Sequence, residues 1–181
     1  MRSAVVLASL ALAACAGRHA APSPRALPAT GGTPDRAANP LVGTWRLVSI
    51  TDSMPDGSVR SHPDRQYSGI LVYDASGHMT AQVVREPRRT PTTSLDSAAA
   101  EDVRDAIRSY VAYFGTYEVD VASHTVVHHV AGNLWPSGAG PELRRAFTLT
   151  GDRLVLVPLG LTRLGATTAG ARTVLTWERV R

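Results

Sequence analysis

The sequence predicts a mainly β domain, an antiparallel barrel of about eight or nine strands with one covering α-helix. From residue 41 onward, short apolar runs are separated by turn residues at intervals of roughly ten. In several runs the apolar side chains fall on every second residue, as they do on a strand with one buried face. One stretch has helical periodicity instead. Because closure removes exposed sheet edges, we expect the strands to form a closed sheet.

The predicted strands lie between turns rich in glycine, aspartate, serine and proline. Three strands precede the helix, at Leu41–Thr51, Tyr67–Asp74 and Met79–Arg85. Five follow it, at Phe114–Val121, Thr125–Ala131, Glu142–Leu149, Arg153–Pro158 and Arg172–Val180.

The helix is predicted over Leu95–Tyr113, after a polar, proline-containing loop. Asp96 or Ser97 is expected to cap its first turn. Val103 and Ile107 fall four residues apart, so we expect one face of the helix to pack onto the barrel.

Charge and histidine placement exclude two functional classes. The chain carries a formal net charge of +4, but its arginines are scattered and no basic stripe interleaved with aromatics is present, so no nucleic-acid partner is predicted. His128 and His129 are adjacent on a strand and must point to opposite faces. With no further His or Cys at ligand spacing, neither a metal site nor a cofactor is predicted.

The first 40 residues predict export and membrane anchoring. One positive charge precedes the apolar run Ala4–Ala14, which has the length of a signal-peptide core. The run ends in Leu12–Cys15, which resembles the lipobox of bacterial lipoproteins. That resemblance implies a cleaved signal peptide (1–14) and a lipid on Cys15. The many prolines and alanines of the next segment predict a flexible tether (15–40), and the strand pattern places the barrel domain at 41–181. The lipobox resemblance also implies the cell envelope, at the outer membrane facing the periplasm; the alternative is an ordinary secretory peptide with an incidental cysteine.

Arg145 is the main candidate for a ligand contact inside the barrel. It shares a strand face with Leu143, Phe147 and Leu149. A buried guanidinium is costly unless it is paired. Two hypotheses follow for Arg145. Arg145 forms an internal ion pair, or it anchors the carboxylate of a ligand through its fork of donors. The acids considered for the internal pair are Glu118, Asp120 and Glu142.

Other polar side chains are expected to assist Arg145 in an otherwise apolar cup. They are Tyr73, Gln82, Tyr113, Tyr117 and one of the histidines His128 and His129. The alternative for the tyrosines is a role in the core or the rim. On the neighbouring strands, two further sets of residues are predicted to share an inward face. They are Tyr117, Val119 and Val121 on one strand, and Leu175, Trp177 and Arg179 on the last.

The segment Leu41–Leu47 resembles the first strand of lipocalins, with Gly43 and Trp45 in the glycine–x–tryptophan positions. The resemblance implies that Gly43 allows close backbone packing, that Trp45 plugs the barrel floor and that Arg179 stacks on Trp45. Residues 41–158 are also similar, with motifs in order, to the bacterial and fungal lipocalin-like domain family. The matching pieces are Gly69–Tyr73, Met79–Gln82 with Arg85, Tyr110–Tyr117, Val127–Val130, Pro136, Glu142, Arg145–Phe147 and Leu154.

These observations favour a membrane-anchored barrel that binds a small hydrophobic or amphipathic molecule. Two alternatives remain. One is a barrel enzyme that carries out isomerase- or cyclase-type acid–base chemistry on a hydrophobic substrate. The other is a structural or interaction domain without a ligand. The sequence has no nucleophile elbow, phosphate loop or paired inward carboxylates, so we assign no catalytic residue.

Overall fold

Nine strands form one antiparallel sheet, which closes on itself where the last strand pairs with the first. The computed structural model describes residues 39–135, 142–159 and 171–181. The strands are β1 (Gly43–Ser53), β2 (Val59–Arg60), β3 (Gln66–Tyr73), β4 (His78–Glu86), β5 (Tyr110–Asp120), β6 (Thr125–Asn133), β7 (Glu142–Thr150), β8 (Arg153–Pro158) and β9 (Arg172–Arg179). The predicted signal peptide, Cys15 and most of the tether lie outside the described residues.

The barrel itself consists of β1 and β3–β9, and β2 is a short addition. Every neighbouring pair is antiparallel, in the order of the sequence, and β1 pairs with both β3 and β9. The two residues of β2 pair only with the end of β1. The predicted closed, mainly β barrel with one helix is therefore confirmed. The sequence did not indicate β2, because two residues are too few to show an alternating pattern.

The helix is shorter than predicted. It runs over α1 (Ala100–Arg108), after a 3-10 turn at Leu95–Ser97, and Ala99 precedes it without a side-chain cap. Tyr110 begins β5, where it pairs with Val84 of β4. The segment that follows Arg108 is rich in aromatic side chains, which favour a strand once a partner strand is present. Among the described residues, no helix is long and apolar enough to span a membrane.

The two ends of the barrel differ. Tight turns at 74–77, 121–124 and 151–152 join strands at one end, together with the segment 39–42. We call this the floor end. The connections 54–65 and 87–109, the latter with α1, lie at the opposite end, which we call the helix end. Val103 and Ile107 of α1 are half-buried there. The predicted amphipathic face thus packs on the barrel only partly.

Trp45 closes the floor end. It is fully buried, and its indole N–H donates to the carbonyl of Leu41 at 2.8 Å. The guanidinium of Arg179 lies 4.0 Å from the centre of the Trp45 ring and donates to the carbonyls of Val42 and Pro40. Gly43 has a φ of +143°, and a Cβ there would lie 2.6 Å from Arg179 Nη1. The implied stacking of Arg179 on Trp45 is present, whereas the close approach at Gly43 is to the side chain of Arg179 rather than to a backbone.

Candidate functional site in the barrel interior

Four polar side chains form a hydrogen-bonded chain inside the barrel. The Tyr73 hydroxyl lies 2.7 Å from His128 Nε2, and His128 Nδ1 lies 3.0 Å from the Tyr113 hydroxyl. Arg145 Nη2 donates to the same Tyr113 oxygen at 3.0 Å. We call Tyr73, His128, Tyr113 and Arg145 the interior polar chain. It brings together four of the predicted site residues, contributed by four different strands.

The interior polar chain rises from the floor end toward the middle of the barrel. Tyr73 is the last residue of β3, at the floor end, and is 1% exposed, while His128 is fully buried. Tyr113 and Arg145 each lie in the fourth position of a strand that begins at the helix end. Tyr113 is half-buried and Arg145 is 8% exposed. Arg145 and Tyr113 therefore form the more accessible part of the chain.

The close approach of β5 and β6 positions Tyr113 against His128. Tyr117 pairs with His128, and the register shifts between Phe114 and Gly115, as in a β-bulge. A Cβ at Gly115 would lie 1.9 Å from the carbonyl oxygen of His129. Only glycine tolerates this approach of the two backbones.

Burial and charge keep His128 neutral. Its pKa lies well below the ordinary value of 6.5, first because burial disfavours the charged form and second because the Arg145 charge is nearby. Burial likewise raises the pKa of Tyr73 well above 10.0, although the Arg145 charge opposes this. At neutral pH, His128 and Tyr73 therefore carry no charge, and the guanidinium of Arg145 is the cation of the interior polar chain.

Of the two interpretations of Arg145, the internal ion pair with an acidic side chain is wrong. Of the 15 acidic residues in the chain, all but Asp35 are described, and none lies within 4.0 Å of the Arg145 guanidinium. Two of the expected partners, Glu118 and Glu142, lie on the outer face beside His129, at 3.5 and 3.7 Å. The third, Asp120, accepts hydrogen bonds in the turn that follows β5. Alternation places all three acids on the face opposite Arg145.

Gln82 and Val121 do not face the interior, contrary to expectation, and of the two histidines His128 is the interior one. On β4 the buried residues are Met79, Ala81 and Val83, so Gln82 points outward, where Tyr110 donates to it. His129 lies on the outer face, between the two glutamates that flank it. Val121 belongs to a turn and is 45% exposed, because β5 ends one residue earlier. These corrections remove Gln82 and His129 from the candidate site.

Tyr117 is a floor residue rather than a part of the interior polar chain. Its hydroxyl donates to the Asp74 carbonyl and accepts from Asn39 Nδ2, both at 2.9 Å. Burial raises its pKa to about 12. With its hydroxyl engaged in the floor, Tyr117 has a structural role, and Asn39 is a floor contact that the sequence did not indicate.

A second buried polar cluster lies at the helix end. Asp52 is 2% exposed, accepts from the Thr173 hydroxyl at 3.3 Å and lies 3.2 Å from His62 Nε2. The sequence analysis did not identify Asp52, although Asp52 lies two residues after Ile50 on β1 and therefore on the same inward face. In the same interior, the indole N–H of Trp177 is buried and has no partner among the described residues. The part of the chain that the structure describes contains no cluster of three or more side chains able to hold a metal.

The interior polar chain supplies donors more readily than acceptors. Arg145 has five N–H groups, and among the described residues only one hydrogen bond, to Tyr113, is formed by them. The segments 136–141 and 160–170, which follow β6 and β8, contain no acidic residue in their sequence. Inside an apolar barrel, such an arrangement suits a group with negative charge and acceptor oxygens.

The family model for a lipocalin-like domain matches residues 42–180. The chain belongs to the lipocalin-like domain family. No curated protein sequence matches it. Among solved structures, the lipocalin-like domain is similar to a redesigned β barrel, at 15% sequence identity and a TM-score of 0.37, over 81% of this chain and 96% of the other. It is also similar to a variant of the fluorescent protein UnaG, at 13% identity and a TM-score of 0.32, over 78% and 96% of the two chains. Neither similarity is high enough to support a functional argument.

Proposed function

We propose that this lipocalin-like domain binds a small amphipathic molecule with an anionic group, which Arg145 receives inside the barrel. The observation that carries the proposal is the buried guanidinium of Arg145, which has no carboxylate partner among the described residues. Removing such a charge from water costs several kcal/mol unless an opposite charge compensates it. A ligand carboxylate or similar oxyanion would supply that compensation.

The surroundings of Arg145 fit the apolar part of such a ligand. Phe147 lies two residues further along the same face of β7, and Val126 of β6, which pairs with Arg145, is fully buried. Val119 of β5 and Leu149 of β7 pack against the same core. A binding site with apolar walls and a few convergent polar groups is typical of small-molecule sites. The barrel of the family is compatible with this use.

The proposal is tested by titrating the purified protein with laurate and with dodecanol, which have the same chain length and differ in charge. Isothermal titration calorimetry measures both affinities for the wild type, Arg145→Gln and Arg144→Gln. Arg144 is the matched control, because it is the neighbouring arginine on the outer face and is 64% exposed. A hydrogen bond to a charged group contributes about 1.5–3 kcal/mol, so we expect Arg145→Gln to weaken laurate binding at least about tenfold.

The expected pattern is specific to charge and to position. Laurate should bind the wild type more tightly than dodecanol, and Arg144→Gln should change the laurate affinity by less than about twofold. If neither amphiphile binds, or if Arg145→Gln binds laurate as the wild type does, the proposal is wrong. Native mass spectrometry of the protein as it is purified would in addition identify a retained ligand by its mass.

The cellular location is a separate proposal, drawn from residues 1–40. We propose that Cys15 carries a lipid and holds the domain at the outer membrane, facing the periplasm, with the tether as a spacer. The support is the apolar run Ala4–Ala14 followed by Leu12–Cys15. Metabolic labelling with a palmitate analogue in a bacterial host should label the wild type and leave Cys15→Ser unlabelled. Equal labelling of both proteins, or of neither, would contradict the lipid anchor.

A further inference from the structure

Tyr73 determines the direction of the hydrogen bonds in the interior polar chain. Its side chain is 1% exposed, and the only partner of its hydroxyl among the described residues is His128 Nε2. If this hydroxyl acted only as an acceptor, its hydrogen would be buried without an acceptor of its own, which is unfavourable. Tyr73 therefore donates to His128, and Nε2 is the bare nitrogen of the ring.

The same donor-to-acceptor direction continues in the hydrogen bond between His128 and Tyr113. A neutral imidazole carries one proton, so with Nε2 bare the proton lies on Nδ1. His128 Nδ1 then donates to the Tyr113 oxygen, which also accepts from Arg145 Nη2. Both lone pairs of that oxygen are thus occupied by donors. The hydroxyl hydrogen of Tyr113 must point away from His128 and Arg145, and Tyr113 is the half-buried member of the chain.

We infer that Tyr73 and His128 are positioning residues that make the Tyr113 hydroxyl a second donor to the ligand, beside the Arg145 guanidinium. This inference rests on the proposed function and adds a second donor to its site. A group that meets two convergent donors must accept both bonds without offering a hydrogen of its own to the tyrosine oxygen. The geometry favours a carboxylate or another oxyanion over an alcohol or an amine.

The proton position on His128 is measured directly in the ligand-free protein. A long-range ¹H–¹⁵N correlation spectrum distinguishes a bare ring nitrogen from a protonated one, and the His128 signals are assigned by their loss in His128→Gln. We expect a protonated Nδ1 and a bare Nε2 in the wild type. A proton on Nε2, or on both nitrogens at neutral pH, would overturn the inference whatever the ligand proves to be.

Three tyrosine variants test the consequence for binding. Tyr113→Phe removes the proposed donor and should weaken laurate binding about tenfold or more, with less than about threefold change for dodecanol. Tyr73→Phe leaves the ligand contacts intact, but it frees Nε2 and lets Tyr113 donate to Nδ1 instead. It should therefore shift the His128 spectrum toward a proton on Nε2 and weaken laurate binding severalfold. Tyr110→Phe is the control, because the Tyr110 hydroxyl donates to Gln82 on the outer face.

The outcomes separate this inference from the proposed function. If laurate binding depends on Arg145 but is unchanged in Tyr113→Phe, the anion site stands and the second donor is wrong. If Tyr73→Phe leaves both the His128 spectrum and laurate binding unchanged, the positioning role is wrong. If laurate does not bind the wild type, the proposed function fails, and the spectrum alone decides the proton position.

Discussion

Two groups that could both be cations, His128 and Arg145, share the Tyr113 hydroxyl in the barrel interior. A guanidinium is a permanent cation in proteins. The fold accommodates this by keeping His128 neutral, through burial and through the charge of Arg145 itself. The same arrangement makes His128 destabilise the folded protein at acid pH, because the unfolded chain binds a proton at His128 more readily than the folded protein does.

Stability should fall as the pH drops below about 6.5, the ordinary pKa of histidine. The unfolded chain then binds a proton at His128 while the folded protein does not, until the pH reaches the lowered pKa of the folded state. Each proton taken up only on unfolding changes the free energy of unfolding by about 1.4 kcal/mol per pH unit. Urea denaturation at pH values from 7.5 to about 4 would measure this slope.

His128→Gln should have a flatter pH profile than the wild type, whatever its absolute stability. His78→Gln is the matched control, because His78 lies beside a surface turn and its ring contacts the Ser76 hydroxyl. An unchanged slope in His128→Gln, or an equal flattening in His78→Gln, would show that His128 is not the group responsible.

At the scale of single residues, strand alternation was the most informative signal, although the prediction did not use it on every strand. It placed Arg145 inside the barrel and required the two adjacent histidines to point to opposite faces. Applied to β4, it would also have placed Gln82 outside, since Met79, Ala81 and Val83 are its apolar set. The contacts within the interior polar chain could not be predicted, because they join four strands and the register between β5 and β6 depends on a bulge that alternation does not reveal.

At the scale of elements, Gly115 is the residue on which the β5–β6 pairing depends most. A methyl group there would overlap the His129 carbonyl, at 1.9 Å, so the two strands would have to separate. We expect Gly115→Ala to lower the free energy of unfolding by about 3 kcal/mol, as measured by urea denaturation. The separation should also lengthen the contact between Tyr113 and His128, which belong to these two strands.

Gly57→Ala is the comparison for Gly115→Ala. Gly57 has a φ of +83° and open space around its missing Cβ, so its replacement introduces backbone strain alone. It should cost about 1 kcal/mol. Equal losses in the two variants would mean that close approach of the strands at Gly115 contributes nothing beyond ordinary glycine substitution.

The helix boundary shows why element limits were harder to predict than element types. Helical spacing continues from Val103 and Ile107 into Tyr110 and Val111, so the sequence predicted one long helix. In the structure the Arg85 N–H donates to the Ser109 carbonyl, and β5 begins with the next residue. Pairing with β4, a long-range interaction, decides the boundary, and local periodicity contains no information about it.

At the scale of the whole molecule, closure of the sheet brings the two ends of the barrel domain together. Trp45 near the start of β1 pairs with Arg179 at the end of β9. Arg179 also binds the backbone of the segment that precedes β1, through Val42 and Pro40. The fold class was predictable because several strands repeat the same alternation, and closure is the arrangement that leaves no exposed edge.

Arg179→Met should destabilise the barrel by about 2 kcal/mol. It removes two hydrogen bonds from a charged donor to backbone carbonyls and the stacking on Trp45. Thermal and urea unfolding should both show the loss. Arg46→Met is the control on the neighbouring strand, because Arg46 and Glu178 form an ion pair in which both side chains are more than half exposed. Its effect should stay within about 0.5 kcal/mol, and a similar loss in both variants would contradict a special role for Arg179.

The fold alone does not identify a ligand, since one architecture serves many functions. The proposed function depends instead on the buried guanidinium of Arg145 in the barrel interior. The most direct test is a crystal structure of the protein with laurate. We expect electron density for the carboxylate within hydrogen-bond distance of both the Arg145 guanidinium and the Tyr113 hydroxyl, with the alkyl chain along the apolar wall. Laurate bound on the outer surface, or inside with its carboxylate far from Arg145, would contradict the account.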